Sequence, residues 1–353
     1  MLAPPQLPRN LEASARDLGS ARAAVRASAV ADLVRHARLS DGVRTRAIEL
    51  FVARLTDPDA SVRAAVAIAL GDLEASEAVT ALLITVEDDD AQVRQMALNA
   101  LGEIADVRAL PRLRRALEDP RDEVRYQAVI AFARVADGQK EGKELVASEV
   151  DEALFVATND QDDAIVHIAL RVAEERLDHG HAPDGRLVAR AKALVSGEST
   201  SPHVRLVAAI LLAKAGDERG HDIVLRVVRG EGVGGETPDK EDERAAVELA
   251  GELGLQAAVP FLERRAFGVK RFVKDTCVFH ARIALARLGH DRAVQEILDE
   301  LASSRREVLE GAVVAAGRAR LIAARKRIAE LTASQVDATL VNEALAQIDA
   351  SDR

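Results

Sequence analysis

The sequence predicts an all-α fold in which antiparallel helix pairs stack into a solenoid, that is, an α-α superhelix. One short motif recurs with a constant spacing of 31 residues in the N-terminal part of the chain. Apolar residues make up 48% of the chain but aromatic residues only 2%, with no Trp, so small and aliphatic side chains must form the core. A period of roughly 20–50 residues is typical of solenoids, whose units bury their apolar faces against their neighbours.

The repeated motif is an aspartate followed five and six residues later by a Val-Arg pair. A small-residue helix continues from the pair, and a second amphipathic segment follows it. The three copies span residues 57–63, 88–94 and 119–125. In the first two copies the helix ends near Gly71 and Gly102, which allow a close approach between helices or a bend.

The motif residues are expected to be structural. An aspartate at the turn can cap the second helix of a pair, because its carboxylate accepts hydrogen bonds from free backbone N–H groups. The arginine can reach the aspartate of an adjacent unit, which predicts a ladder of charge-assisted hydrogen bonds. The ladder residues are Asp57, Arg63, Asp88, Arg94, Asp119 and Arg125.

Helical periodicity extends on both sides of the regular copies and gives roughly nine antiparallel helix pairs. Beyond residue 135 the period loosens, because the Val-Arg landmark returns as Val166-His167, 42 residues after Val124. Later copies are Val204-Arg205 and, more weakly, Glu243-Arg244. An acidic, Gly-rich stretch at 229–242 lacks periodicity and predicts a mobile loop.

These patterns divide the chain into four regions. A proline-rich lead-in is expected to be disordered, regular repeats follow it, irregular repeats carry the acidic loop, and the last repeats are locally basic. The regions are 1–8, 9–135, 136–242 and 243–350.

The segment from Val62 to Gly71, together with Ala109-Leu110-Pro111 and Leu113 after the following turn, resembles HEAT repeats. The resemblance is closest to the short bacterial variety named after phycobilisome lyases. It covers residues 57–135 strongly and about 20–350 loosely. It implies an armadillo-type α solenoid whose second helices line a concave face, but a repeat motif specifies architecture far more than function.

Composition excludes several classes of protein. A single cysteine, Cys277, excludes an internal disulfide framework and favours a reducing compartment. The N-terminus has no apolar segment of signal-peptide length, and a run of about 18 apolar residues occurs nowhere. We therefore expect a soluble cytoplasmic protein that does not insert into a membrane.

Sites of catalysis, metal binding or cofactor binding are not expected. His179-Gly-His181 has no Cys or carboxylate cluster at ligand spacing beside it. Gly230, Gly232 and Gly235 match a dinucleotide fingerprint as a string, but no strand is predicted there, and Glu231 and Glu236 would repel a pyrophosphate. Cys277 and His280 lie one helical turn apart and are expected to be ordinary packing or surface positions.

Two surfaces are candidates for protein binding. If second helices line a concave face, an apolar-polar groove results, suited to a helix or an extended peptide. Its candidate residues are Ile68, Met96, Asn99, Tyr126 and Ile130. The other surface interleaves Phe with cations and suits an acidic partner segment. Its candidate residues are Arg264, Arg265, Phe267, Lys270, Arg271, Phe272 and Lys274.

The function that these features favour is a non-enzymatic scaffold or adaptor that binds another protein through its concave face. One alternative is a lyase-like or enzyme-accessory protein that holds a small ligand in the concavity. Another is nucleic-acid binding through residues 264–327, which carry 15 Lys/Arg against 7 Asp/Glu. The net charge of −10 for the whole chain argues against nucleic acid as the partner.

Overall fold

Apolar residues at helical spacing form α-helices throughout the part of the chain that the computed structural model describes. This part comprises residues 10–138, 143–268, 277–331 and 335–350, without the side chains of 137 and 143–146. It holds twenty α-helices and no β-strand, which confirms the all-α prediction. Among these residues, no helix has the length and apolar character that crossing a bilayer requires.

The described residues divide into two compact units. Unit 1 extends to residue 175 and includes 183–187, while unit 2 consists of 176–182 and the residues from 188 onward. Odd-numbered helices below are the first, and even-numbered helices the second, of ten consecutive pairs. The first ten helices are α1 Leu11–Asp17, α2 Ala23–Ala37, α3 Asp41–Arg54, α4 Ala60–Asp72, α5 Val79–Thr85, α6 Ala91–Ile104, α7 Leu110–Ala116, α8 Asp122–Asp137, α9 Lys143–Ala157 and α10 Asp163–Asp178.

The division between the units falls near the end of α10 and the start of the next helix. The remaining helices are α11 Gly185–Ser196, α12 Pro202–Lys214, α13 His221–Arg229, α14 Lys240–Glu252, α15 Val259–Phe267, α16 Val278–Arg287, α17 Asp291–Glu300, α18 Arg306–Arg318, α19 Arg325–Ala329 and α20 Ala338–Asp349. The division into four regions made from the sequence remains a prediction.

Each motif helix buries one apolar stripe. In α4 the stripe consists of Val62, Val66, Ala69 and Leu70, of which none is more than 2% exposed. Because burying one Val or Leu side chain contributes about 1.5–3 kcal/mol, this stripe holds α4 against its neighbours. The second helices also approach each other closely, since a Cβ added at Gly71 would lie 2.9 Å from the Cα of Ala100.

Helix α9 is a first helix that the sequence patterns do not predict. It occupies the long interval between Val124 and the next landmark, where the regular period is lost. Its buried residues Val150, Ala153, Leu154 and Ala157 follow helical spacing, and none is more than 3% exposed. The longer period therefore reflects a longer helix pair, with α9 more than twice the length of α7.

Candidate protein-interaction site

The turns before the second helices of unit 1 are joined by an arginine-aspartate ladder. Each arginine donates two hydrogen bonds, from Nε and Nη2, to the carboxylate of the following unit, at 2.6–3.0 Å. All four arginines also donate from Nη1 to the carbonyl oxygen six residues earlier, at 2.9 Å. The four pairs are Arg26–Asp57, Arg63–Asp88, Arg94–Asp119 and Arg125–Asp160.

The ladder is longer than the sequence predicts, and its aspartates have a different local role. Asp57 and Asp88 do not cap helices. Each accepts a hydrogen bond from the backbone N–H two residues later, and that later residue is the cap. The caps of α4 and α6 are Asp59 and Asp90. Asp119 accepts in the same way from the N–H of Arg121, whose side chain makes no cap hydrogen bond. The capping prediction is therefore wrong.

Three ladder carboxylates, those of Asp57, Asp88 and Asp160, are held in their charged form. Burial alone raises the pKa of Asp57, but hydrogen bonds from Arg26 and a backbone N–H outweigh it and lower the pKa overall. The same competition, with Arg63 as the donor, lowers the pKa of Asp88. The pKa of Asp160 is lowered in the same way, with Arg125 as the donor. Because their side chains are at most 16% exposed, the ladder residues from Arg26 to Asp160 stabilise the turns and offer little surface to a ligand.

The ladder does not continue from α10, because the residue at the arginine position of that helix is not an arginine. The Val-His pair of α10 lies one residue later than the motif positions. Helix α10 starts three residues after Asp160, as α4 starts three residues after Asp57. The position of the motif valine is therefore Ile165, and the arginine position holds Val166, which is 3% exposed. The expected Val166-His167 landmark is thus out of register. The same comparison can be made from the helix caps. At the distance from its cap Asp239 that separates Arg63 from Asp59 in α4, helix α14 has Glu243 and not Arg244.

The second helices α2, α4, α6 and α8 form one side of unit 1, here called the second-helix face. Ile68 is 40% exposed on it, whereas the other groove candidates, Met96, Asn99, Tyr126 and Ile130, are half-buried. Ile68, Asn99 and Ile130 are spaced by 31 residues and lie at the same position of α4, α6 and α8.

Asn99 is the polar centre of this face. Its side-chain oxygen accepts hydrogen bonds from Gln127 Nε2 and Arg134 Nη1, each at 3.2 Å. Arg134 also contacts Glu103 of α6. Within the described part of the chain, the amide nitrogen of Asn99 has no acceptor, so its two N–H groups are available to the backbone of a bound segment.

A groove of about 560 Å³ lies between α2 and α4 on the same face. Of its lining residues, the sequence predicts only Ile68 as a protein-binding residue, because α2 precedes the regular copies. Apolar residues form most of the lining, and Leu39 at the rim is 81% exposed. The lining residues are Ala27, Val30, Ala31, Val34, Arg35, Arg38, Leu39, Ala65, Ile68, Ala69 and Asp72.

Charges at the edge of the groove balance one another. Arg38 lies 3.7 Å from Asp72, and both side chains are about half exposed. Arg35 pairs with Asp32 one turn earlier on α2. Since an exposed pair such as Arg38–Asp72 contributes only about 0–1 kcal/mol, a ligand can rearrange it at little cost.

The described part of the basic surface contains three of the predicted residues, Arg264, Arg265 and Phe267. Arg264 is exposed and stacks on Phe261, with its guanidinium carbon 4.7 Å from the ring centroid. Arg265 is half-buried and pairs with Glu243 at 2.7 Å. The other predicted residues, Lys270, Arg271, Phe272 and Lys274, lie outside the described residues.

Most described arginines between 264 and 327 have acidic partners within the protein. Seven of them form ion pairs at 3.0 Å or less. The pairs are Arg265–Glu243, Arg282–Glu300, Arg287–Glu252, Arg292–Glu296, Arg306–Glu310, Arg318–Glu248 and Arg325–Asp349. Four of these carboxylates, those of Glu243, Glu248, Glu252 and Asp349, lie outside residues 264–327 and so reduce the excess of cations that could meet a polyanion.

His280 takes part in an ionic cluster across three second helices of unit 2. Its Nδ1 contacts Glu248 of α14, which also accepts a hydrogen bond from Arg318 of α18 at 3.0 Å. Burial alone raises the pKa of Glu248. The contacts with His280 and Arg318 have a larger, opposite effect, so the pKa lies below its ordinary value. Cys277 is fully buried. The cluster thus links α14, α16 and α18 electrostatically.

The stretch between α13 and α14 is free of helix from 230 to 239. Its only strand-like feature is an isolated bridge between Val233 and Glu236. Gly230, Gly232 and Gly235 have positive φ and form turns, so the glycine spacing is explained without a nucleotide.

Comparison with known proteins supports the architecture. The family model for HEAT repeats matches residues 48–133 and 80–173. A search of curated protein sequences finds no match. Among solved structures, the chain is similar to the Escherichia coli protein YibA, with 17% identity and a TM-score of 0.53, over 80% of this chain and 93% of that one.

A second solved structure, Kap121p bound to Ste12p, has 12% identity and a TM-score of 0.50. The match covers 95% of this chain and 40% of that chain, so this chain spans well under two thirds of Kap121p. At these identities the likeness concerns the fold alone. Residues 48–173 match the model for HEAT repeats, and the fold is an α solenoid of the HEAT and armadillo type.

Proposed function

We propose that this protein is a non-enzymatic scaffold or adaptor that binds a segment of another protein on the second-helix face of unit 1. The observation that carries this proposal is the apolar groove between α2 and α4, with Leu39 and Ile68 exposed at its edge. Exposed apolar side chains beside a concave apolar lining are typical of protein-binding sites.

Chemical features of the face suit a peptide or a helix. The groove accommodates an apolar anchor residue, and the adjacent row at Asn99 supplies amide N–H groups for backbone carbonyls. Kap121p, a solenoid of similar fold, is known bound to the protein Ste12p. We also propose a cytoplasmic location, a relationship to the short repeats named after phycobilisome lyases, and no catalytic activity; these rest on sequence composition and motif.

The test introduces negative charge at the groove by substitution. Leu39→Asp/Ile68→Asp puts two carboxylates beside an apolar lining and is expected to abolish capture of the partner from native lysate. Ile84→Asp is the matched control, since Ile84 is 72% exposed on α5, a first helix of the same unit. Circular dichroism must show the same helix content in all variants. Equal recovery of partner by parent and double variant would refute the proposal.

A small ligand in the groove is the second candidate. Its volume of about 560 Å³ lies within the roughly 300–1,000 Å³ typical of small-molecule sites. A ligand that stabilises the parent but not Leu39→Asp/Ile68→Asp in thermal melting would favour this function, because binding raises the free energy of unfolding. If the parent binds neither protein nor small molecule, both candidates fail.

A further inference from the structure

Unit 2 carries a cluster of two arginines on one aromatic ring. The guanidinium carbons of Arg229 and Arg264 lie 5.5 and 4.7 Å from the ring centroid of Phe261. Both arginines are exposed, and the ring is half-buried. Stacking on an aromatic face restrains a guanidinium while its N–H groups remain free to donate.

The positions of the two helices that hold this cluster are fixed by a neighbouring side chain. Arg265 donates to the carbonyl oxygens of Val227 and Val228 at the end of α13, each at 3.2 Å. It also pairs with Glu243. Because Arg265 ties α15 to α13, Arg229 at the last position of α13 is held beside Phe261 before any ligand binds.

Nearby carboxylates do not neutralise the cluster. Glu263 accepts from His290 at 2.8 Å, and Glu231 lies 3.8 Å from Arg226. In the part of the chain that the structure describes, neither Arg229 nor Arg264 forms an ion pair. Among the described residues, the side chain of Arg264 makes one hydrogen bond, from Nε to the carbonyl oxygen of Pro260 at 3.4 Å.

We propose that Arg229, Phe261 and Arg264 bind an extended, carboxylate-rich segment of a partner protein. Each guanidinium can receive one carboxylate through two parallel N–H···O bonds, which is the geometry that arginine favours. This site lies on unit 2 and is separate from the groove of the proposed function, so either can fail alone.

The number of available cations favours an acidic peptide over nucleic acid. A polyanion gains affinity from many phosphate contacts, whereas this site offers two guanidiniums that form no ion pair with the described residues. Two carboxylates of a short peptide match that number.

The experiment uses a fluorescein-labelled peptide with four glutamates around one leucine, followed by fluorescence anisotropy against the full chain. Arg229→Gln/Arg264→Gln is expected to weaken binding at least about tenfold, since two charge-assisted contacts are lost. Phe261→Leu, which keeps an apolar side chain against the core, is expected to weaken it about threefold. Arg306→Gln/Arg325→Gln is the matched control, because these exposed arginines already pair with Glu310 and Asp349.

Binding of the acidic peptide that the control variant retains and the Arg229/Arg264 variant loses would support the site. The same peptide with glutamine in place of glutamate must bind at least about tenfold more weakly than the acidic one. Absence of binding by the parent, or equal binding by parent and double variant, would overturn the proposal. So would a labelled 12-nucleotide single strand that binds more tightly than the peptide through the same two arginines.

Discussion

Gly317 and Gly311 lie in the same helix, α18, but only one of them faces a neighbouring helix closely. A Cβ added at Gly317 would lie 2.7 Å from the Cα of Ala344 in α20, whereas nothing lies within 4 Å of one added at Gly311. Gly317 lies as many residues after the N-cap of α18 as Gly71 and Gly102 lie after the N-caps of α4 and α6. A close approach between second helices at this position therefore recurs in both units.

The first prediction follows from that difference. Gly317→Ala is expected to lower the free energy of unfolding by about 1–3 kcal/mol, because the added methyl forces two packed backbones apart. Gly311→Ala is expected to raise it by about 0.5–1 kcal/mol through a lower entropy of the unfolded chain. Urea unfolding followed by circular dichroism measures both. A Gly317 variant as stable as the Gly311 variant would contradict the packing account.

A second residue-scale prediction concerns Asp88 of the ladder. Asp88→Asn is expected to lower the free energy of unfolding at pH 7 by about 1–3 kcal/mol, because Arg63 loses a charged acceptor in a largely buried site. Glu49→Gln is the control. Its pair with Arg46 is exposed on both sides, so the change is expected to cost about 0–1 kcal/mol.

The effect of Asp88→Asn depends on pH. The pKa of Asp88 is lowered in the folded protein, so its stabilisation is complete above the ordinary carboxyl pKa of about 4. It is lost as pH falls through the lower, folded pKa. Unfolding curves of parent and variant should therefore converge in acid. A difference that stays constant from pH 7 to pH 2 would mean that the carboxylate charge is not the cause.

At the scale of helices, the cap before α8 differs from those before α4 and α6. Asp59 and Asp90 accept a hydrogen bond from the first turn, but Arg121 at the corresponding position does not. Arg121→Asp is expected to raise the free energy of unfolding by about 1 kcal/mol, since it supplies the missing acceptor. Asp90→Ala should lower it by a similar amount. Thermal melting that shows no gain for Arg121→Asp would contradict this assignment.

Sequence patterns predict the regular helices well because their spacing is constant. The ladder between Asp57 and Arg125 can be predicted because residues 31 apart must repeat the same contacts. Its outer ends cannot, since Arg26 precedes the regular copies and Asp160 follows the added length of α9. A search for Val-Arg pairs does not detect the one-residue change of register at Ile165.

The candidate site was only partly predictable for a similar reason. Repeat arithmetic places Ile68, Asn99 and Ile130 in one row, but the groove also needs α2, whose sequence departs from the motif. The pairing of Arg265 with Glu243 depends on how α15 lies against α14, which no local pattern contains.

For the whole molecule, charge placement separates two kinds of surface. Most described arginines of the C-terminal region are paired, whereas Arg229 and Arg264 are not paired with described carboxylates. The second-helix face of unit 1 is instead apolar with balanced charge at its edge. The two surfaces therefore suit partners of different chemistry.

The central claim, that a protein segment occupies the groove between α2 and α4, is tested most directly by photo-crosslinking. Benzoylphenylalanine is introduced at position 68 or, as the control, at position 84 on α5, and native lysate is irradiated. The account predicts a discrete protein adduct from position 68 that Leu39→Asp abolishes, and none from position 84. An adduct from both positions, or from neither, would contradict it.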